Sequence, residues 1–272
     1  MVDNDYQMLI DYISRHISID GNLYKEKPFK RRLNVRMRHN NMTEYREYLD
    51  FLRTSSEELR KLKDTLTINV TRFYRNRETF EYLEQFIIKD IFKKNQRIRI
   101  LSAGSSTGEE AYTISMIINN NFRNSSQKCE IVGIDVDTLS VERAKIGIYN
   151  EFSFMELKAE EIDKYFRKSG AHFVLSEELK KNVEFIIMDI KESDALLRLG
   201  KFDMIVCRNI LIYFSKDFQE KIISDFHKML KNDGYLVLGK VEILTGHVKE
   251  LFETVNRKER VFKKIAYTHT NS

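Results

Sequence analysis

The chain has one proline, two cysteines and ten glycines in 272 residues, and each scarcity narrows what it can be. Cys129 and Cys207 both fall in stretches with strand character. That fits two reduced core thiols in a cytoplasmic protein rather than a disulfide framework. The six histidines (16, 39, 172, 227, 247 and 269) are scattered. None has zinc-ligand spacing with a cysteine or another histidine, so no metal is expected. No apolar run approaches the roughly 20 residues that cross a bilayer, which argues against membrane insertion. The opening Met1-Val2-Asp3-Asn4-Asp5 is acidic and has no apolar signal core, so secretion is not expected. There is no Ser-His-Asp or Cys-His pattern for nucleophilic catalysis, no internal repeat and no low-complexity segment.

What remains is an ordinary globular composition, 42% apolar and 32% charged, with a net charge of +5. The charge is unevenly spread. Residues 1–75 hold 15 Lys/Arg against 11 Asp/Glu, whereas the rest of the chain holds 31 against 30. The excess belongs to the N-terminal part and points to an acidic partner there.

The first 67 residues read as helices only. Tyr6, Leu9, Ile10, Ile13 and Ile17 follow helical spacing. Pro28 fits the first turn of a second helix with Phe29, Leu33 and Met37 on its apolar stripe. Tyr45, Tyr48, Leu49 and Leu52 make a third helix. Ser55-Ser56-Glu57-Glu58 is a capping-box start for a fourth, through Leu59, Leu62 and Leu66. From residue 77 the pattern becomes alternating. Helix 80–92 precedes strand 97–102, and helix 109–120 precedes strand 130–135. Helix 138–147, an irregular stretch, and strands 183–188 and 202–207 follow. Helix 216–231 and strands 235–239 and 261–265 close the chain. Such alternation predicts an α/β, doubly wound, mostly parallel sheet. The last two strands lack a full helix between them and predict an antiparallel edge.

Residues 99–112, Arg-Ile-Leu-Ser-Ala-Gly-Ser-Ser-Thr-Gly-Glu-Glu-Ala-Tyr, carry the strongest chemical signal. Strand, small-residue loop and amphipathic helix form a nucleotide-type cofactor cradle, with glycines that let a ligand approach the backbone. The spacing Gly104-x-x-x-Gly108 is not that of a dinucleotide site. Glu109 and Glu110 occupy the helix start, where a pyrophosphate would otherwise sit. Carboxylates there suit a cationic centre, an ammonium or a sulfonium, or they merely favour the helix dipole.

In such a sheet, ligands bind at the carboxyl ends of the strands. Asp135 after the second strand fits the two hydroxyls of a ribose, and Asp137 fits a helix N-cap. Asp189-Ile190 after the third could bracket an adenine or form a plain loop. After the fourth comes Cys207-Arg208-Asn209-Ile210-Leu211-Ile212-Tyr213-Phe214. A core role covers its apolar residues but not Arg208, Asn209 and Tyr213 together. Ahead of the sheet, Thr67-Ile68-Asn69-Val70-Thr71-Arg72-Phe73-Tyr74-Arg75 breaks the helices. It is either a linker or a functional segment, and a linker needs neither two aromatics nor two arginines.

Taken in register, Thr67-x-Asn69-x-Thr71-x-Phe73-x-Arg75, Ser106-Thr107-Gly108-Glu109-Glu110-x-Tyr112, Gly133-Ile134-Asp135-x-Asp137 and Cys207-Arg208-Asn209-x-x-Ile212-Tyr213-Phe214 resemble the CheR family. These are S-adenosylmethionine-dependent methyltransferases that esterify glutamates of chemotaxis receptors. The resemblance covers nearly the whole chain. It implies a helical N-terminal docking domain (1–76) and a class I methyltransferase-like domain (77–272) with a small inserted β-subdomain at about 149–183. It implies that Asn69, Thr71 and Arg75 line the cofactor and reach toward the reacting groups. Gly104 belongs to the cradle, Glu110 would hold the methionine ammonium and Asp135 the ribose. Asp189 and Ile190 would flank the adenine, Arg208 and Asn209 close the pocket, and Tyr213 stand beside the sulfonium. Arg75 and Tyr213 are the expected catalytic residues. The expected partners are S-adenosylmethionine, its product S-adenosylhomocysteine and receptor cytoplasmic helices, with no nucleic acid, and the protein is expected to be a monomer.

The chain departs from the family at three positions. Asp189 stands where Asn is frequent, Ala111 where Pro is common, and Glu242 lacks the His-Ser that usually precedes it. No role is attached to Glu242. The stretch 165–173 has one glycine where members that bind a receptor tail peptide carry a glycine-rich loop, so no tether dependence is expected. Two other readings compete: a nucleic-acid methyltransferase, and a non-catalytic S-adenosylmethionine-binding signalling protein. Amino-methylating enzymes of nucleic acid usually carry Asn/Asp-Pro-Pro-Tyr/Phe after the fourth strand, and here that place reads Arg208-Asn209-Ile210-Leu211. Retention of Arg75 and Tyr213 opposes the second.

Between Lys25 and Arg38 stand seven Lys/Arg and one acid, Glu26. With Phe29, Leu33 and Met37 facing the bundle, Lys27, Arg31, Asn34 and Arg38 share another face. That face is a solvated surface or a docking site for Glu-rich receptor helices, with Arg31 and Arg38 as its candidate contacts.

Overall fold

Helices α1 (Asn4–Ile17), α2 (Glu26–His39), α3 (Tyr45–Thr54) and α4 (Ser56–Leu66) build the N-terminal region of the computed structural model, which describes residues 4–17, 19, 21–66, 71–122 and 128–265. Apolar residues three and four apart give each helix one stripe to bury. Leu9 and Ile13 of α1, Phe29, Leu33 and Met37 of α2, Tyr48, Leu49 and Leu52 of α3, and Leu62 and Leu66 of α4 meet in one core. Ser55 caps α4, its Oγ accepting the Glu58 N–H at 3.1 Å. The reciprocal half of the expected capping box is not made. Glu58 is buried and accepts instead from Arg36 Nε at 2.9 Å and Tyr48 Oη at 2.7 Å. A charged guanidinium outcompetes a backbone N–H for a carboxylate.

The chain divides into two compact units, Met1–Asn69 with Ile212–Gln219, and Val70–Leu211 with Glu220–Ser272. The strip 212–219 joins the helical unit through hydrogen bonds from Lys25 N to Tyr213 O and from Ser215 N to Leu23 O, both 2.8 Å. Phe214 packs on Tyr24 with ring centroids 4.9 Å apart.

The second unit opens with α5 (Arg77–Tyr82), a π-helical turn (Leu83–Ile88) and α6 (Lys89–Lys94). Then come β1 (Ile98–Ala103), α7 (Glu109–Asn121), β2 (Cys129–Asp135), α8 (Thr138–Ile146), β3 (Ile148–Tyr149), α9 (Ala159–Tyr165), β4 (Phe166–Ser169) and β5 (His172–Leu175). The order continues with α10 (Glu177–Lys180), β6 (Val183–Ile187), α11 (Ser193–Arg198), β7 (Phe202–Cys207), α12 (Lys216–Met229), β8 (Leu230–Leu238), β9 (Phe252–Asn256) and β10 (Val261–Lys264). Helix α12 begins in the strip assigned to the helical unit.

Seven strands form one sheet in the order β6-β2-β1-β7-β8-β10-β9. The first five run parallel, and β10 is antiparallel to both β8 and β9. The antiparallel edge is therefore present, with one strand more than the pattern predicts. In β9 only Phe252 is buried, so the strand carries almost no apolar periodicity to read. Central β1 and β7 are buried nearly throughout, as continuous apolar runs in a parallel sheet require. Cys129 and Cys207 are free and buried within these layers. Strand order reverses between β1 and β7, which puts the switch-point crevice over their carboxyl ends.

Between α8 and β6 a small antiparallel sheet, β3-β5-β4, is inserted. Phe73, from the segment ahead of α5, packs into it against Tyr149 (4.8 Å between centroids) and Phe166 (5.1 Å). Among the described residues, no helix is long and apolar enough to cross a membrane, and no group of side chains is arranged to hold a metal.

Candidate active site

The segment 71–77 is fixed rather than loose. Phe73 N donates to Ser153 O and Tyr74 N to Thr113 Oγ1, both at 3.0 Å. Tyr74 and Asn76 take left-handed backbone conformations, φ 52° and 62°. Non-glycine residues hold such angles where surrounding contacts enforce them. Arg77 supplies one such contact: its guanidinium lies 4.1 Å from the Tyr74 ring centre and its Nε donates to Glu156 O at 2.8 Å. Half-buried Thr71 and Arg75 are thus held on a braced turn, which a simple linker would not need. Asn69 lies outside the described residues.

After β1 the chain turns through Gly104 at φ +74° and reaches α7 through Gly108. A Cβ on Gly104 would sit 1.5 Å from Ile210 Cδ1, so the loop presses directly on the chain leaving β7. At the start of α7 the two acids part. Glu109 is buried, accepting from Thr107 Oγ1 at 2.6 Å and from Ser153 Oγ at 3.1 Å. Glu110 accepts from Ser102 Oγ at 2.9 Å and lies 3.4 Å from Arg208 Nη1. Burial pushes the Glu110 carboxyl above the usual glutamate range, against the pull of Arg208, Ser102 and Arg75. Both acids stand in the first turn of α7 and both are engaged by side chains.

Arg208 is the hub of this linkage. Its Nη2 donates to Arg75 O at 2.7 Å and to Asn76 Oδ1 at 2.8 Å, and its guanidinium stands 5.0 Å from the Phe80 ring centre. One buried cation thus ties the acid of the glycine loop to the backbone of the arginine turn. Asp135, at the end of β2, accepts Ser106 N–H at 2.8 Å and Asp137 N–H at 2.9 Å, one on each oxygen. Burial raises its pKa, opposed by those two amides. Asp137 is the N-cap of α8, accepting from Leu139 N at 3.3 Å and Ser140 Oγ at 2.7 Å. At the exit of β6, Asp189 accepts Lys191 N–H at 2.9 Å and pairs with Lys191 Nζ at 3.1 Å. Its two oxygens are thus engaged within their own loop, while Ile190 is buried beside it.

Two residues escape the sequence reading. Glu242 is buried beyond β8 and bonds to backbone at both strand exits, Asn209 N at 3.0 Å and Gly239 N at 2.6 Å. Without the His-Ser before it, Glu242 had no motif to mark it. In the helical unit, Arg32 is buried on α2, donates to Leu66 O at 2.7 Å and lies 4.3 Å from the Tyr213 ring centre. Its place in a basic run disguises it as surface charge. Arg31 and Arg38 are exposed on the same helix, and Arg38 Nε donates to Asn34 O, one turn earlier, at 3.2 Å. The second unit thus brings Arg75, Gly104, Glu110, Asp135, Arg208 and Asn209 together through these contacts. Tyr213, Arg31 and Arg38 belong to the helical unit.

The residues at the strand ends fit a cationic, hydroxyl-rich ligand. Glu110 and Asp135 are two half-buried acids whose ionised forms need compensation. Among the described residues, Ser105 Oγ, Ser106 Oγ and Asn209 Oδ1 are buried without a hydrogen-bond partner. Buried polar atoms left so are unusual and call for a partner, ordered water or a bound group.

Two family models match nearly the whole chain. Residues 4–67 match the family model described as CheR methyltransferase, all-alpha domain, and residues 69–261 that described as CheR methyltransferase, SAM binding domain. Chemotaxis protein methyltransferase 1 of Pseudomonas aeruginosa is 31% identical over 249 residues, 88% of this chain and 90% of the relative. Chemotaxis protein methyltransferase Cher2 of Pseudomonas putida is 34% identical over 191 residues, 67% and 69%. The chemotaxis protein methyltransferase of Borreliella burgdorferi is 29% identical over 254 residues, 90% and 89%.

Proposed function

Because this chain belongs to the CheR methyltransferase family, and so to the S-adenosylmethionine-dependent methyltransferases of chemotaxis, we propose that it esterifies glutamate side chains of chemotaxis receptors. The observation that carries the reading is the linkage from Glu110 through Arg208 to Arg75. It ties an acid suited to a ligand's cation to the backbone of Arg75, the residue whose guanidinium suits a substrate's carboxylate.

S-adenosylmethionine, when bound, supplies an electrophilic methyl group on positive sulfur. A receptor glutamate is already an anion near neutral pH, so the chain needs neither a base nor a nucleophile of its own. Its task is to position the carboxylate oxygen, and holding reactants in line supplies a large part of such an acceleration. Arg75 is proposed to orient the acceptor carboxylate through its forked donors. Glu110 would hold the ammonium of the cofactor, Asp135 its ribose, and Ile190 with Asp189 its adenine. Asn69, Thr71, Gly104, Arg208 and Asn209 complete the cofactor site, and Tyr213 is the second proposed catalytic residue. The exposed Arg31 and Arg38 would meet the acidic receptor helices.

Incubation with S-adenosylmethionine labelled in its methyl group and with receptor-containing membranes tests the proposal. The expected product is labelled receptor whose label mild base releases as methanol, as an ester must. Label that resists base, or that appears only in added nucleic acid, overturns it.

A further inference from the structure

Beyond β7 and β8 the ladder ends, at the pair Cys207 and Leu238. The next residues have to part, and their backbone N–H groups lose ladder partners in a buried place. The sequence answers with a tight turn. Glu242 N donates to Gly239 O at 2.9 Å, and the Glu242 side chain folds back over that turn. One oxygen, Oε2, accepts from both Gly239 N at 2.6 Å and Asn209 N at 3.0 Å. Space is tight enough that a Cβ on Gly239 would lie 2.7 Å from Glu242 Oε2 and 2.9 Å from Asn209 N. Asn209 itself is left-handed, φ 62°, a conformation that costs a non-glycine residue energy. Its Oδ1 is buried with no partner among the described residues.

We propose that Glu242 is a positioning residue for the cofactor site. By clamping the Asn209 N–H it holds that residue left-handed and so presents the unsatisfied Asn209 Oδ1 to the bound ligand. This rests on the reading that Asn209 touches the cofactor. The proposed role is acceptance of these two backbone hydrogen bonds rather than supply of charge. It makes a prediction that ordinary acid chemistry would invert: shortening the side chain should hurt, while neutralising it should not.

Calorimetry with S-adenosylhomocysteine on the full chain tests this, with melting temperature as the control for folding. Glu242→Ala should raise Kd about tenfold, the scale set by leaving buried amides unsatisfied. Glu242→Asp keeps the charge but not the reach and should weaken binding similarly; it carries the test if the alanine variant fails to fold. Glu242→Gln keeps an acceptor oxygen and should stay within about threefold of wild type. In an Asn209→Ala background, Glu242→Asp should cost almost nothing further, because the clamp then has no side chain to present. Strong binding by Glu242→Asp with weak binding by Glu242→Gln would assign the role to charge and overturn the proposal. So would equal losses in both Asn209 backgrounds, which mark a merely structural turn. If Asn209→Ala alone binds like wild type, it is the reading of Asn209 as a cofactor ligand that fails.

Discussion

At the scale of single residues, two consequences are measurable. Burial raises the Glu110 carboxyl, so it takes up its proton at a pH above the ordinary glutamate range. Below that point the anion is lost, and with it the attraction for a cationic ligand. Affinity for S-adenosylmethionine should therefore fall as pH falls through it. Binding in that window should release protons, because the ligand's charge favours the ionised form. Calorimetry in buffers of different ionisation enthalpy reads both effects. Glu110→Gln should bind weakly with a shallower profile, the remaining dependence coming from Asp135, whose carboxyl burial also raises, and a pH-independent wild type would contradict the role. The second consequence concerns Arg75 and Tyr213, neither of which belongs to the apolar cores. Arg75→Ala should lower turnover about a hundredfold, the scale of a misplaced reacting group. Tyr213→Phe keeps the ring beneath Arg32 and should lower turnover about tenfold through the hydroxyl alone. Unchanged melting temperatures with these losses support the assignment; full turnover in either variant removes that residue from it. Glu110, Asp135 and Arg208 were legible because they adjoin strand ends in a recognisable pattern. Arg32 and Glu242 were not: burial of a charged residue inside a charged run, or beyond a broken motif, leaves no local mark.

At the scale of elements, helix α2 presents Arg31 and Arg38 to solvent while its Phe29, Leu33 and Met37 are buried. Periodicity alone gave that division, since side chains three and four apart must share a face. It did not give Arg32 and Arg36, which turn inward toward Leu66 O and Glu58. Reversing Arg31 and Arg38 to Glu should raise the KM for receptor about tenfold and flatten its salt dependence. Affinity for S-adenosylmethionine should stay unchanged. A double reversal with wild-type receptor kinetics would return this face to ordinary solvation. In the inserted sheet, β4 and β5 join through Gly170-Ala171 alone, with Ser169 paired to His172. So short a turn offers no glycine-rich loop to seat a peptide. Fluorescence titration with receptor-tail peptides should detect no binding, and a measurable affinity abolished by changes in 165–173 would refute this. Strand β9 was invisible in the sequence for the converse reason, since an edge strand with one buried residue has no pattern to declare.

At the scale of the whole molecule, the alternation of strands and helices foretold the doubly wound sheet, and the sheet dictates where chemistry can happen. Strand order reverses at β1 and β7, so residues scattered from Arg75 to Asn209 converge without being neighbours in sequence. The basic N-terminal unit and the acid-lined second unit divide the labour proposed for them, one toward an anionic protein partner and one toward a cationic small molecule. What the sequence could not supply was the cross-linking of these parts by Arg208, because hydrogen bonds to distant backbone depend on the final fold. The most direct test of the central claim is mass spectrometry of receptor cytoplasmic fragments after incubation with the protein and S-adenosylmethionine. The account predicts single methyl additions on glutamate side chains, absent where those glutamates are replaced by alanine and absent with Arg75→Ala. Methylation confined to lysine, arginine or nucleic acid, or glutamate esters formed at an undiminished rate by Arg75→Ala, would contradict it.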